Sequence, residues 1–149
     1  MFLTAANRNI DSAVNIINQL TNNSMFAVLR EELFCSIVSA IHSIADYEER
    51  IRSQLSEEDD QFLRAFLYIN NQLKHDKKLE MFYSRIAGSR YPMSYPYKYG
   101  TPSVRWKNFP DNSHPARGKR EHYEKYLMDK DIAATLMQVK SIINNHCDK

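Results

Sequence analysis

Apolar side chains recur every three or four residues along most of this chain, and that spacing predicts helices. Ile10, Val14, Ile17 and Leu20 mark a first helix over residues 10–22, after which Asn22-Asn23-Ser24 offers a turn and an N-cap. A longer stripe follows in Phe26, Leu33, Ile37, Ala40, Ile44, Tyr47 and Ile51. Phe34, Val38 and Ile41 widen it to the breadth that a bundle helix buries. The opposite side carries Cys35, Ser39, His42, Asp46 and Glu49. Ser56-Glu57-Glu58-Asp59 reads as a helix start, a capping hydroxyl ahead of acids that suit the positive end. In this third helix Phe62, Phe66, Ile69 and Leu73 form an apolar face, and Arg64, Tyr68, Asn71 and His75 a polar one. Leu79, Phe82, Tyr83 and Ile86 predict a further short helix, stopped near Gly88.

Between Arg90 and Pro110 the period falls to two: Tyr91, Met93, Tyr95, Tyr97 and Tyr99 alternate with Pro92, Ser94, Pro96 and Lys98. The prolines forbid a central strand, so the segment is expected to be an edge strand or extended chain. Ser103-Val104-Arg105-Trp106 is its expected partner across Gly100-Thr101-Pro102. Helix then returns, with Ser113 and Pro115 suited to a helix start and Tyr123, Tyr126 and Leu127 to buried contacts. Asp129-Lys130-Asp131 breaks the pattern before a final helix marked by Ile132, Leu136, Val139 and Ile143. The expected architecture is mainly α: one helical domain over residues 1–149. It divides into a core bundle (1–88), an aromatic hairpin or extended insertion (89–112) and C-terminal helices (113–149).

Composition fits that picture. Three glycines and five prolines in 149 residues leave few tight turns, which argues against a many-stranded sandwich or barrel. A net charge of +2 is too small to indicate nucleic-acid binding by itself, so any basic footprint must be local. No apolar run approaches the roughly 20 residues that cross a bilayer, and the start of the chain does not read as a signal peptide. Cys35 and Cys147 do not suggest a disulfide framework, so a cytoplasmic setting without membrane contact is expected. Phosphate-loop, dinucleotide-binding and zincin motifs are absent. The five histidines are dispersed; no metal and no cofactor is called for.

Chemistry concentrates at the end of the third helix, in Asn70-Asn71-Gln72-Leu73-Lys74-His75-Asp76. His75 can exchange a proton near neutral pH, Asn71 lies four residues earlier on the same face, and Lys74 can steer a phosphate. The plainer alternative is a lysine and a histidine that stabilise the negative end of a helix.

The run from Phe62 to Asp76 also resembles the third-helix signature of the HEPN superfamily of helical bundles. That signature has an arginine, often followed by a polar residue, with a histidine shortly after. His75 matches the histidine and Asn71 the polar neighbour; Asn70 stands where the arginine would be. The nearest upstream arginine, Arg64, is eleven residues from His75, roughly 16 Å along an ideal helix. The resemblance spans the helices before Gly88. It implies metal-independent RNA cleavage, a homodimer, and a toxin–antitoxin or phage-defence setting. In that scheme His75 moves the 2′-hydroxyl or leaving-group proton while Asn70, Asn71 and Lys74 hold phosphate oxygens. Asp46 or Glu49 would restrain the imidazole.

Two other arrangements compete for attention. Ser39, His42 and Asp46 superficially suggest a triad, but three residues on one helix read better as a solvated face. Arg64, Arg90, Tyr95, Lys98, Arg105 and Trp106 combine cations with aromatics, as single-stranded nucleic-acid surfaces do. The same tyrosine-rich pattern also arises where aromatics cover a bundle's apolar surface. The sequence therefore leads to a HEPN-like protein that binds RNA or a nucleotide, as a degenerate RNase. The alternative is a non-enzymatic, antitoxin-like accessory that binds a protein partner.

Overall fold

Among the described residues, stretches free of glycine become five α-helices: α1 (Phe2–Asn22), α2 (Phe26–Ile51), α3 (Glu57–Lys74), α4 (Arg120–Tyr126) and α5 (Ile132–Asn145). A 3-10 turn, η1 (Arg52–Gln54), joins α2 to α3. Strands β1 (Tyr83–Gly88) and β2 (Gly100–Trp106) form a two-stranded antiparallel sheet. The structure is a computed structural model that describes residues 2–22, 26–74, 83–88, 100–107 and 120–146. The protein is mainly helical, as its apolar spacing predicts.

Helix α1 begins at Phe2, not at Ile10. Ala5 and Ala6 favour helix, and Ala6 enters the core fully buried one turn before Ile10. Polar rungs fix its neighbours. Asn9 Nδ2 donates to Ser43 Oγ at 2.8 Å, and Ser12 meets Ser36 at 3.3 Å, so α1 and α2 run antiparallel. Asn7 Nδ2 donates to Asn144 Oδ1 at 3.1 Å, and Lys140 Nζ pairs with Asp11 Oδ1 at 2.6 Å, so α5 lies antiparallel on α1. The buried stripe of α2 is Leu33, Ile37, Ala40, Ile41 and Ile44. Phe34 departs from expectation: it is 40% exposed, because it lies on the rim of the stripe.

Ser56 caps α3, its Oγ accepting from the Asp59 N–H at 3.2 Å. Phe62, Phe66 and Ile69 fill the core beneath it. Helix α4 closes the other side, with Tyr68 against Tyr123 (5.4 Å between ring centroids) and Tyr126 edge-on to Phe62 (5.9 Å). One core cluster includes residues of α1, α2, α3, β2, α4 and α5.

The segment around Tyr83 and Ile86 is a strand, not the helix its apolar spacing suggested. A short apolar run satisfies either period, and pairing with β2 decides. The register is Tyr83↔Trp106, Ser84↔Arg105, Arg85↔Val104 and Ile86↔Ser103, then shifts to Gly88↔Gly100. That shift puts one extra residue on β2, at Thr101-Pro102, where proline has no N–H to give a ladder. Ser103–Trp106 thus pairs with Tyr83–Ile86, and Gly100-Thr101-Pro102 belongs to the strand. The expected Tyr91–Tyr99 strand and the Ser113–Pro115 helix start lie outside the described residues.

Beyond α4 the chain folds back along β2. Asp129 takes a left-handed φ of 62°, which aspartate tolerates better than most residues. Its N–H donates to Trp106 O at 3.0 Å, and the Trp106 N–H donates to Lys130 O at 3.1 Å. Asp131 then caps α5, Oδ1 accepting from the Ala134 N–H at 2.9 Å. Among the described residues, no helix is long and apolar enough to cross a membrane.

Candidate functional site

The last turn of α3 brings together Asn70, Asn71 and Lys74, each in a different environment. Asn70 follows Phe66 by four residues on the face turned to the core, and only 6% of it is exposed. Its Oδ1 is buried without a hydrogen-bond partner. Asn71 is half-buried and Lys74 exposed. The buried carboxamide cannot reach out to a phosphate, which corrects the role expected for Asn70. His75, which follows Lys74 directly, lies outside the described residues, as do Arg90, Tyr95 and Lys98.

The proposed polar face of α3 is largely covered. Tyr68 is buried under Tyr123, whose hydroxyl donates to Lys107 O. Burial, then the nearby Tyr68 phenol and the Asp129 charge, push the Tyr123 phenol well up, so neither ionisation nor proton transfer is available there near neutrality. Arg64 Nε stands 2.9 Å from Asp60 Oδ2 and 3.9 Å from Glu48 Oε1. Its N–H is not aligned for a hydrogen bond, so these contacts are charge pairing. The guanidinium pairs through Nε with two acids within the fold, and the side chain is 35% exposed.

Trp106 must also be withdrawn from the expected nucleic-acid surface. It is fully buried, its Nε1 donating to Thr135 Oγ1 at 2.9 Å and its ring edge-on to Phe66 at 5.9 Å. An indole sealed in this way has no face on which a base can stack. Arg105 is exposed and donates through Nη1 to Asp129 O at 3.3 Å. Asp46 is exposed on α2, and so are Ser39 and His42, as expected of a solvated face. Cys35 is free and exposed.

A second polar cluster escaped the sequence reading. Glu48 has a fully buried side chain and a bidentate pairing with Arg52: Nε to Oε1 at 2.7 Å and Nη2 to Oε2 at 2.9 Å. Asp60 and Arg64 meet this pair from α3, and Asp60 Oδ1 is buried with no partner. Burial raises the Glu48 carboxyl, but the hydrogen bonds from Arg52, the proximity of Asp60 and the two guanidinium charges outweigh it, holding the group below its ordinary range. Asp60 moves the other way. Burial and its contact with Glu48 raise it, against the pull of Arg64 and Arg52. Two sequence signals marked Glu48: it interrupts the apolar series Ile37, Ile41, Ile44 and Ile51, and it precedes Arg52 by four residues.

Among the described residues, no group of three or more His, Cys, Asp or Glu side chains could hold a metal. No protein family, curated protein or solved structure matches the chain.

Proposed function

We propose that the protein is a HEPN-like binder of RNA or a nucleotide, with Lys74 and Asn71 contacting phosphate at the end of α3. The observation that carries this reading is the pairing of an exposed cation with a half-exposed amide on one helical turn. Lys74 supplies the charge and Asn71 a directed donor. The C-terminal end of a helix repels anions, so affinity rests on side chains rather than on backbone N–H groups. His75, next in sequence, supplies proton transfer for weak, metal-independent cleavage. Asn70 acts from beneath as a packing residue. The reading extends to a homodimer in the cytoplasm, within a toxin–antitoxin or phage-defence system, as the sequence resemblance implies.

A second reading, an antitoxin-like partner protein without enzymatic activity, draws support from the burial of Trp106 and Asn70 and the pairing of Arg64 with Asp60. The two readings separate when the protein is mixed with a diverse RNA pool. Retention of RNA that falls on Lys74→Ala, with cleavage that disappears on His75→Ala, supports the first. No retention and no cleavage, together with capture of one stoichiometric protein partner, would establish the second.

A further inference from the structure

We infer that Asp60 and Glu48 come to share one proton as the medium turns acidic, making the corner between α2 and α3 a pH-sensitive clasp. The geometry of the corner is the starting point. Helix α2 ends at Ile51, η1 turns the chain, and α3 begins at Glu57, so Glu48 and Asp60 face one another across a tight connection. Both oxygens of Glu48 are taken by Arg52. Asp60 Oδ2 is taken by Arg64, whereas Oδ1 is buried with no donor.

A buried carboxylate oxygen without a donor is unfavourable. Protonation removes the difficulty, because the new O–H gives Asp60 a donor to offer to Glu48, whose Oε1 stands 3.9 Å from the same Arg64 Nε that holds Asp60 Oδ2 at 2.9 Å. Glu48 is the natural acceptor, being the carboxylate that the arginines hold ionised. The charged groups around Asp60 are Glu48 from α2, Arg52 from η1 and Arg64 from α3; Glu49 acts on Arg52. No charged group of α4 is among those acting on Asp60. Arg52 and Arg64 are 49% and 35% exposed, so water screens their hold on Asp60.

The two carboxyls pull stability in opposite directions with pH. Asp60, raised in the fold, contributes stability below its unfolded value, and the contribution is lost as pH rises through its folded value. Glu48, lowered in the fold, contributes stability above its unfolded value, lost as pH falls through its folded one. The clasp is therefore tightest in the weakly acidic interval between them, with one proton on the pair.

Carboxyl-carbon NMR of the full chain across roughly pH 2–8 tests this directly. The expected result is an Asp60 midpoint above that of an ordinary aspartate, with the Glu48 signal moving at the same step. In Glu48→Gln the Asp60 midpoint should fall back towards the ordinary value. An Asp60 midpoint at or below the ordinary value, or one that Glu48→Gln leaves unmoved, overturns the proposal. If Glu48→Gln does not fold, Asp60→Asn decides. Its stability relative to wild type should rise as pH passes upward through the Asp60 midpoint, and a difference independent of pH overturns the clasp.

Discussion

At the first turns of α3, Asp60 and Arg64 meet Glu48 and Arg52 in a cluster of two acids and two guanidiniums. At its last turn, Asn70 is buried with an oxygen that nothing satisfies, and Lys74 projects from the surface. One helix thus carries polar side chains in two conditions. The first set is held by the packing of α2 on α3, which gives each charge a partner and leaves one oxygen, Asp60 Oδ1, without a donor. In the second set Asn71 is half-buried and Lys74 exposed, and polar groups open to solvent are what a binding site requires. The contrast also shows why a cation in the sequence is a poor guide to ligands: Arg64 and Lys74 sit ten positions apart, and of the two, among the described residues, only Arg64 is paired with an acid.

The comparison can be broken most forcefully at Glu48. Glu48→Ala leaves Arg52 and Arg64 beside a lone Asp60, and urea unfolding should show a loss of about 2–3 kcal/mol. The exposure of Arg52, which water can resolvate, holds the effect below that of a fully sealed pair. A loss under about 0.5 kcal/mol would mean that the cluster is not a structural unit.

Asn70→Leu tests the other end with the opposite sign. Removing an unsatisfied buried carboxamide should stabilise the fold by about 1 kcal/mol. If RNA retention falls in the same variant, Asn70 is kept at the expense of stability, as functional positions often are. Destabilisation by Asn70→Leu would show instead that the amide is well accommodated.

Acidification should also separate the ends. Wild-type stability should rise as pH falls from neutrality through the Asp60 midpoint, and Asp60→Asn should remove that rise, as thermal unfolding across the range would reveal. The smallest expected effect on stability belongs to Lys74→Ala, within about 0.5 kcal/mol of wild type. In RNA binding the same variant should lower the salt-dependence slope by about 1, as loss of one phosphate contact does. An unchanged slope would remove Lys74 from the interface.

Much of the bundle was legible because Ile37, Ile41 and Ile44, or Phe62, Phe66 and Ile69, repeat at a spacing that only a helix turns to one side. Residues with a dual nature were harder. Trp106 reads as a stacking surface or as core with equal ease, and its indole N–H found Thr135 inside the protein. Tyr83 and Ile86 fit both periods over too short a run for the sequence to choose. Glu48 drew no reading of its own because its partner Arg52 lies in the next element and Asp60 beyond a turn. At the candidate site the polar run from Asn70 to Lys74 was plain. Its division into a buried, a half-buried and an exposed residue depended on α4, whose packing on α3 no local pattern announces.

The rungs between α1 and α5 set an order of events during synthesis. Asn7 and Asn144 are separated by 137 positions, so α1 cannot finish docking until α5 has emerged from the ribosome. Until then the apolar side of α1 has α2 as companion and one flank uncovered, which leaves the nascent chain vulnerable to aggregation until α5 has been made.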